Sequence, residues 1–294
     1  MNMNSNKVMT KPKFSVAIQT EQYQRLINNT LGDPNRARRF IASISSAVAT
    51  NKDLQECDAG TILSGALLGE ALNLSPSPQL GQYYLVPFKD KNKGKVATFI
   101  LGYKGYIQLA IRSGYYKKIN VIELKEGELK KFDLMTEEIE VDLITDDEKR
   151  ENVKTVGYYA MFEYLNGFKK AIYWSKDKMI AHADKYSPAF TKKGYELLLA
   201  GKVKQEDMWK YSSHWYKSFD DMAKKTMLRQ LISKWGVMSI EMREAFEKDE
   251  TIIREDGTYQ YVTEIDDSNV IETKIEEHNE SIENEPKKVD MNEL

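Results

Sequence analysis

Along this chain the spacing of apolar residues switches several times between a helical and an alternating period, and each switch marks an element. Phe40, Ile41, Ile44 and Val48 predict a helix over residues 35–50. Asp58 stands where a carboxylate caps a second helix over 59–72, and Ile62, Leu63, Ala66, Leu67 and Ala71 make that helix apolar enough for a buried core element. Pro76 and Pro78 then impose a loop. Residues 83–88 and 96–101 read as strands, joined by a turn over 89–95 that carries four lysines, one aspartate and a glycine. A helix over 103–113 stops at Gly114. Short strands are expected at 119–124, 128–133 and 138–143, followed by a charged loop at 145–152. Residues 155–165 and 168–174 flank Asn166-Gly167, the strongest hairpin signal in the chain. Ser175 caps a helix that must end before Pro188, residues 187–212 are mixed and lysine-rich, and a helix over 219–235 closes the core.

Strands in runs between helices imply an α+β fold, with an antiparallel, curved sheet and hairpins packed on helices. Residues 1–34 lack a strong period, hold Pro12 and Pro34, and read as an N-terminal arm and oligomer contact. Residues 35–250 form the expected core. Beyond about residue 250 acids accumulate and periodicity fades, so 251–294 reads as a flexible acidic tail, apart from a small hairpin at Asp256-Gly257.

Charge sharpens this division. The net charge of -2 conceals 18 acids against 6 bases in residues 241–294, which leaves 27 acids against 37 bases in the first 240. A basic body with an acidic tail suits a polyanionic partner better than a neutral metabolite. A single cysteine, Cys57, excludes an intramolecular disulfide and fits a reducing cytoplasm; at a helix start its thiolate has some support, but a half-buried small residue is the plainer reading. No apolar run is long enough to span a membrane, and the polar stretch 1–13 gives no expectation of a secretory leader.

Two helices carry basic stripes. Lys104, Gln108 and Arg112 lie at i, i+4 and i+8, on one face of the helix that begins at Tyr103, with no acid among them. In the helix from Phe219, Lys225 and Arg229 share a face opposite the arc of Ala223, Met227, Leu231 and Trp235, while Lys224 falls inside that arc. An ammonium there needs an anion: a core carboxylate in the plain reading, a phosphate in the functional one. Upstream, Trp209, Lys210, Tyr211, His214, Trp215, Tyr216 and Lys217 interleave aromatic rings and cations, as single-stranded nucleic acid requires; the two tryptophans are expected in the core. Asp220 and Asp221 are more simply helix-start acids than metal ligands, and His182, His214 and His278 have no zinc spacing. No phosphate-binding loop for ATP exists, since Gly94-Lys95 and Gly201-Lys202 are both followed by valine.

Three blocks then carry a resemblance. They are residues 72–76 with 80–88 (LNLSP, LGQYYLVPF), 101–110 with 112–114 (LGYKGYIQLA, RSG), and 222–229 (MAKKTMLR) with 239–242 (SIEM). In this order and spacing, across about 35–245, they resemble the RecT/Redβ family of phage single-strand annealing proteins. The resemblance implies ATP-independent binding of single-stranded DNA, annealing of complementary strands in recombination, assembly into rings or filaments, Mg²⁺ modulating DNA binding without being required, and a phage exonuclease as partner. It implies no catalytic residues. Tyr103, Lys104, Gln108, Arg112, Lys210, Lys217, Lys224, Lys225 and Arg229 are the expected DNA contacts, holding phosphates while bases stay exposed for pairing. A passive single-strand protector and a metal-dependent nuclease built on Asp220 and Asp221 are the competing readings. The acidic tail matches no motif of the family.

Overall fold

The computed structural model describes residues 12–90 and 94–261. Helices α1 (Phe14–Ala17), α2 (Glu21–Leu31), α3 (Pro34–Ala49) and α4 (Ala59–Ala71) lead into a hairpin of β1 (Tyr83–Asp90) and β2 (Gly94–Leu101). After α5 (Tyr103–Ser113) come β3 (Tyr116–Lys125), β4 (Leu129–Phe132), β5 (Ile139–Val141), α6 (Asp147–Glu151), β6 (Thr155–Tyr164) and β7 (Lys169–Ser175). Helices α7 (Lys176–Tyr186), α8 (Lys192–Leu199), α9 (His214–Lys217), α10 (Phe219–Trp235) and α11 (Ile240–Glu247) precede β8 (Thr251–Ile253) and β9 (Tyr259–Tyr261).

The fold is α+β with antiparallel pairing throughout, but the strands divide where one curved sheet was expected. One sheet runs β1-β2-β8-β9, a second runs β3-β6-β7, and β4 and β5 form a separate ribbon. Helix α4 covers the first sheet and α10 the second, with α5 between them against α10, α11 and β3. Local chemistry explains the helix starts. Asp33 accepts from the Asn35 N–H ahead of α3, where Pro34 fills the first position. Asp58 accepts from Gly60 and Thr61 at α4, and Ser175 from Lys178 at α7. Within α4, Ile62, Leu63 and Ala66 are fully buried, the two larger side chains contributing about 1.5–3 kcal/mol each. Cys57 is buried too, which pushes its thiol up to about 12 and leaves it inert at neutral pH.

Three expectations need correction, and one stretch without an assigned structure gains one. The segment before residue 35 does not stand away from the body: Phe14, Ala17, Ile18 and Ile27 are buried in the main core, since α1 packs on α4 and α2 on α3. Residues 1–11 of that arm lie outside the described residues. The charged stretch 145–152 holds the short helix α6 instead of a loop. Asp146 accepts from Lys149 N–H at its start, acids occupy its first turn and bases its last, and Arg150 docks on buried Glu128 at 2.6 Å. The mixed stretch 187–212 contains α8, capped by Thr191, and a 3₁₀ turn over Gln205–Tyr211. The expected tail begins too early, because Thr251, Ile252 and Ile253 are buried as β8 beside β2, and the Asp256-Gly257 turn returns the chain as β9. Three β-branched residues sufficed to make a strand inside an acidic region. Residues 262–294 lie outside the described residues.

Glu128 ties the ribbon to the second sheet. Its carboxylate accepts from Lys125 N–H (2.7 Å), Ile144 N–H (3.1 Å) and the Arg150 guanidinium. Burial pushes its pKa up, but Arg150 and the two amides outweigh burial and hold it below the usual 4.5. A carboxylate depressed in the folded state stabilises above its unfolded pKa and loses that contribution as pH falls through the folded value. Glu128→Gln should therefore be less stable than the parent at pH 7 in urea titrations, and the gap should shrink steadily below pH 4.5. A second expectation concerns Gly105, where a Cβ would stand 2.1 Å from the Gln82 carbonyl oxygen. Gly105→Ala should cost about 1–3 kcal/mol, lowering the urea midpoint with an unchanged slope.

Candidate nucleic-acid interface

Helix α5 starts directly on the loop that precedes β1. Gly102 donates to the Gln82 carbonyl at 2.9 Å, and a Cβ on Gly102 would meet the Gly81 carbonyl oxygen at 2.2 Å. Only glycine permits this approach, and it brings the first two sequence blocks into contact. The third block completes the surface. Lys224 on α10 places Nζ 4.8 Å from the centre of the Tyr103 ring, between Asp221 (3.1 Å) and Glu123 (3.6 Å). Its surroundings supply anions from within the chain: exposed Asp221 and half-buried Glu123. Burial works against the ammonium, but Glu123 and Asp221 outweigh it and raise the pKa.

Beside this cluster lie groups open to solvent. Lys104, Gln108 and Arg112 are all exposed on one face of α5. Lys104 Nζ is 6.0 Å from the Tyr103 ring centre. Arg112 donates to the Leu72 (2.7 Å) and Asn73 (3.1 Å) carbonyls and so closes the C-terminal end of α4 as well as facing outward. Tyr84, which was not among the expected DNA contacts, and His214, from the 209–217 alternation, link Lys104 to α9. Tyr84 lies against Gly81 next to Lys104, and its ring stands 5.6 Å from that of His214. Burial, then Lys217 and Lys225, lower the His214 pKa, so the imidazole is neutral at neutral pH. Exposed Lys217 ends α9. Lys210 is held by Asp207 at 3.0 Å, 5.8 Å from the Trp209 ring. Of the two tryptophans expected in the core, Trp215 is buried with Phe190 and Phe219, whereas Trp209 is 54% exposed.

Lys225 and Arg229 belong elsewhere, and the wheel misplaced them. Lys225 has a side chain 4% exposed, and Nζ pairs with Asp249 (3.0 Å) and Glu250 (3.1 Å). Arg229 reaches Asp249 at 2.6 Å. Asp249 also accepts from the Tyr106 hydroxyl (2.8 Å) and the Leu101 N–H (2.9 Å), and its side chain is fully buried. Burial alone would lower the pKa of Lys225 and Arg229, yet these neighbours raise both. In this arrangement Lys225 is closed to a phosphate, while Arg229, its side chain 34% exposed, is committed to Asp249. The residue responsible, Asp249, went unnoticed because it stands among acids that composition assigned to the edge of the tail. Asp220 is likewise engaged, accepting from Tyr158 (2.5 Å) and Thr155 (3.1 Å). Among the described residues no group of three potential metal ligands occurs. None of the described helices is long and apolar enough to cross a membrane.

The sequence matches known proteins over most of its length. The family model described as "RecT family" matches residues 38–267. Over 240 residues the chain is 40% identical to the uncharacterized protein YqaK of Bacillus subtilis (strain 168), spanning 81% of this chain and 72% of that protein. Over 218 residues it is 28% identical to Protein RecT of Escherichia coli (strain K12), spanning 73% and 71% respectively.

Because removing one partner strands buried charges, Asp249→Ala should lower the unfolding free energy by about 3–5 kcal/mol. Urea denaturation followed by circular dichroism measures this, with Lys104→Ala, which touches none of the node, expected to stay within about 0.5 kcal/mol of the parent.

Proposed function

The chain belongs to the RecT family, and from that premise we propose that it binds single-stranded DNA and anneals complementary strands in recombination without hydrolysing ATP. The observation that carries the reading is the convergence of all three family blocks at Tyr103, beside an exposed stripe of Lys104, Gln108 and Arg112 to which α5 itself contributes no acid. Lys104 and Lys217 are the principal phosphate contacts, with Arg112, Gln108, Lys210 and the edge of Lys224 alongside, and Tyr103 and Tyr84 offer ring surfaces between them. Contacts to phosphate carry no sequence information, so binding is sequence-tolerant and base pairing supplies the specificity. The protein's part is to concentrate and order the strands, as an oligomer that prefers the annealed intermediate to separated strands. Mg²⁺ tunes DNA binding without a dedicated protein site, an exonuclease that exposes single strands is the partner, and the setting is the bacterial cytoplasm.

Two complementary fluorescent oligonucleotides, mixed without ATP, test the proposal. The parent chain should accelerate their annealing; binding that slows annealing would mark a passive protector instead, and strand cleavage in Mg²⁺ a nuclease. Lys104→Ala should weaken single-strand binding several-fold and make the log–log salt dependence shallower by about 0.7, the value for one phosphate contact on a single strand. An unchanged slope would remove Lys104 from the phosphate path.

A further inference from the structure

Along the outer side of α7, on an element that none of the three blocks includes, aromatic rings and cations alternate. Trp174 ends the second sheet, and Lys178, His182 and Tyr186 follow at i, i+4 and i+8, so the stripe continues from the tryptophan along one face of the helix. The His182 ring centre lies 5.2 Å from Trp174 and 4.7 Å from Tyr186. Lys178 Nζ stands 4.6 Å from the centre of Trp174, and Lys185 Nζ 5.1 Å from that of Tyr186. Met179 and Ala183 anchor the opposite face of α7 in the core, while Tyr186 is 60% exposed and both lysines are exposed.

A plain solvated face does not account for this stripe. Surface helices usually pair lysines with acids one turn away, yet neither lysine has a carboxylate within ion-pair distance among the described residues. Asp184 is turned to the Lys192 N–H at 2.8 Å, and Glu250, the acid that acts on His182, is already held by Lys225. Burial lowers the His182 pKa, so its ring is a neutral aromatic surface at neutral pH. Three rings in series with a cation over each end match the chemistry of unpaired bases, which offer a π-face to a ring and a phosphate to an ammonium.

We infer that Trp174, His182 and Tyr186 form a stacking platform for the unpaired bases of a bound single strand, with Lys178 and Lys185 on its phosphates. The inference rests on the single-strand reading above and extends it to a face that the family blocks do not reach. A duplex hides its base faces, so this platform engages the strand before pairing, and the phosphate contacts are what remain for the annealed intermediate.

The test compares two probes, an oligo-dT and an abasic oligonucleotide of equal length and phosphate count, each titrated with the full chain by fluorescence anisotropy at one salt concentration. Tyr186→Ala should bind oligo-dT roughly 5- to 100-fold more weakly, the loss of about one stacked base, with affinity for the abasic strand unchanged and Tyr186→Phe restoring binding. Lys178→Ala with Lys185→Ala should weaken both probes alike. An equal effect of Tyr186→Ala on the two probes, or none while the parent binds, overturns the platform and leaves the annealing proposal standing. A parent chain that binds neither probe overturns the single-strand reading itself. A change in sedimentation of Tyr186→Ala without DNA, and no change in preference for bases, would assign the stripe to contact between copies of the chain.

Discussion

Asp249 is the constraint on which the rest depends. One buried carboxylate receives the backbone of Leu101 at the end of β2, the hydroxyl of Tyr106 from α5, and the cations of Lys225 and Arg229 from α10. Four groups from three elements can satisfy it only in one relative placement of α5, α10 and the first sheet. Taking such charges from water is costly, and an apolar cluster of the same size would stabilise about as well. The value of the node therefore lies in specificity of arrangement: it sets the angle at which α5 meets α10, and hence which face of α5 looks outward. Lys104, Gln108 and Arg112 are exposed because Tyr106 must reach Asp249. Segment 248–253 is drawn to β2 by the same carboxylate, which is why an acidic stretch contributes a buried strand.

The residues that carry the family resemblance serve mainly to hold this frame. Gly102 and Gly105 allow α5 to sit on the 81–82 backbone, Arg112 closes α4, and Lys225 and Arg229 saturate the node. A signature of this kind specifies how three segments meet rather than which side chains touch a ligand. Of the exposed groups open to a polyanion, Lys104 lies within a block, while Lys217 and the stripe on α7 lie outside all three.

Elements whose signals are local were legible in the sequence. The bounds of α5 and α10 agree with the expected 103–113 and 219–235, because Gly114 and the residues around Ser218 and Gly236 punctuate the chain whatever packs against it. The hairpin at Asn166-Gly167 follows from a glycine at φ +86°. What escaped was long-range. A helix wheel assigns charged residues to the solvent, and α10 is buried nearly all round, so Lys225 was read on the wrong side while its partner lay 24 residues away. Composition placed β8 in a tail, though register with Phe99 decides its fate. Alternation of rings and cations was noticed at 209–217, where much of it faces the core, and missed on α7, where the period of four lay hidden across the junction of strand and helix.

An annealing protein faces opposing demands: it must hold a strand firmly enough to order it, and leave the edges of the bases free for a partner to test. Phosphate contacts from exposed lysines satisfy both, since they touch no base edge. Stacking on aromatic rings does so as well, because a base lying on a ring still presents its pairing edge. What would defeat annealing is hydrogen bonding to that edge, or an unpaired cation deep enough in a cleft to bind too tightly for exchange. The internal pairing of Lys225, Arg229 and Lys224 removes three cations from that second hazard. On the proposed reading, the cations left outside these pairs give a strand a screened and reversible hold. Under that proposal such a hold disfavours neither strand exchange nor release of the duplex, and the ion pairs that fix the frame are also what would keep the grip on DNA light.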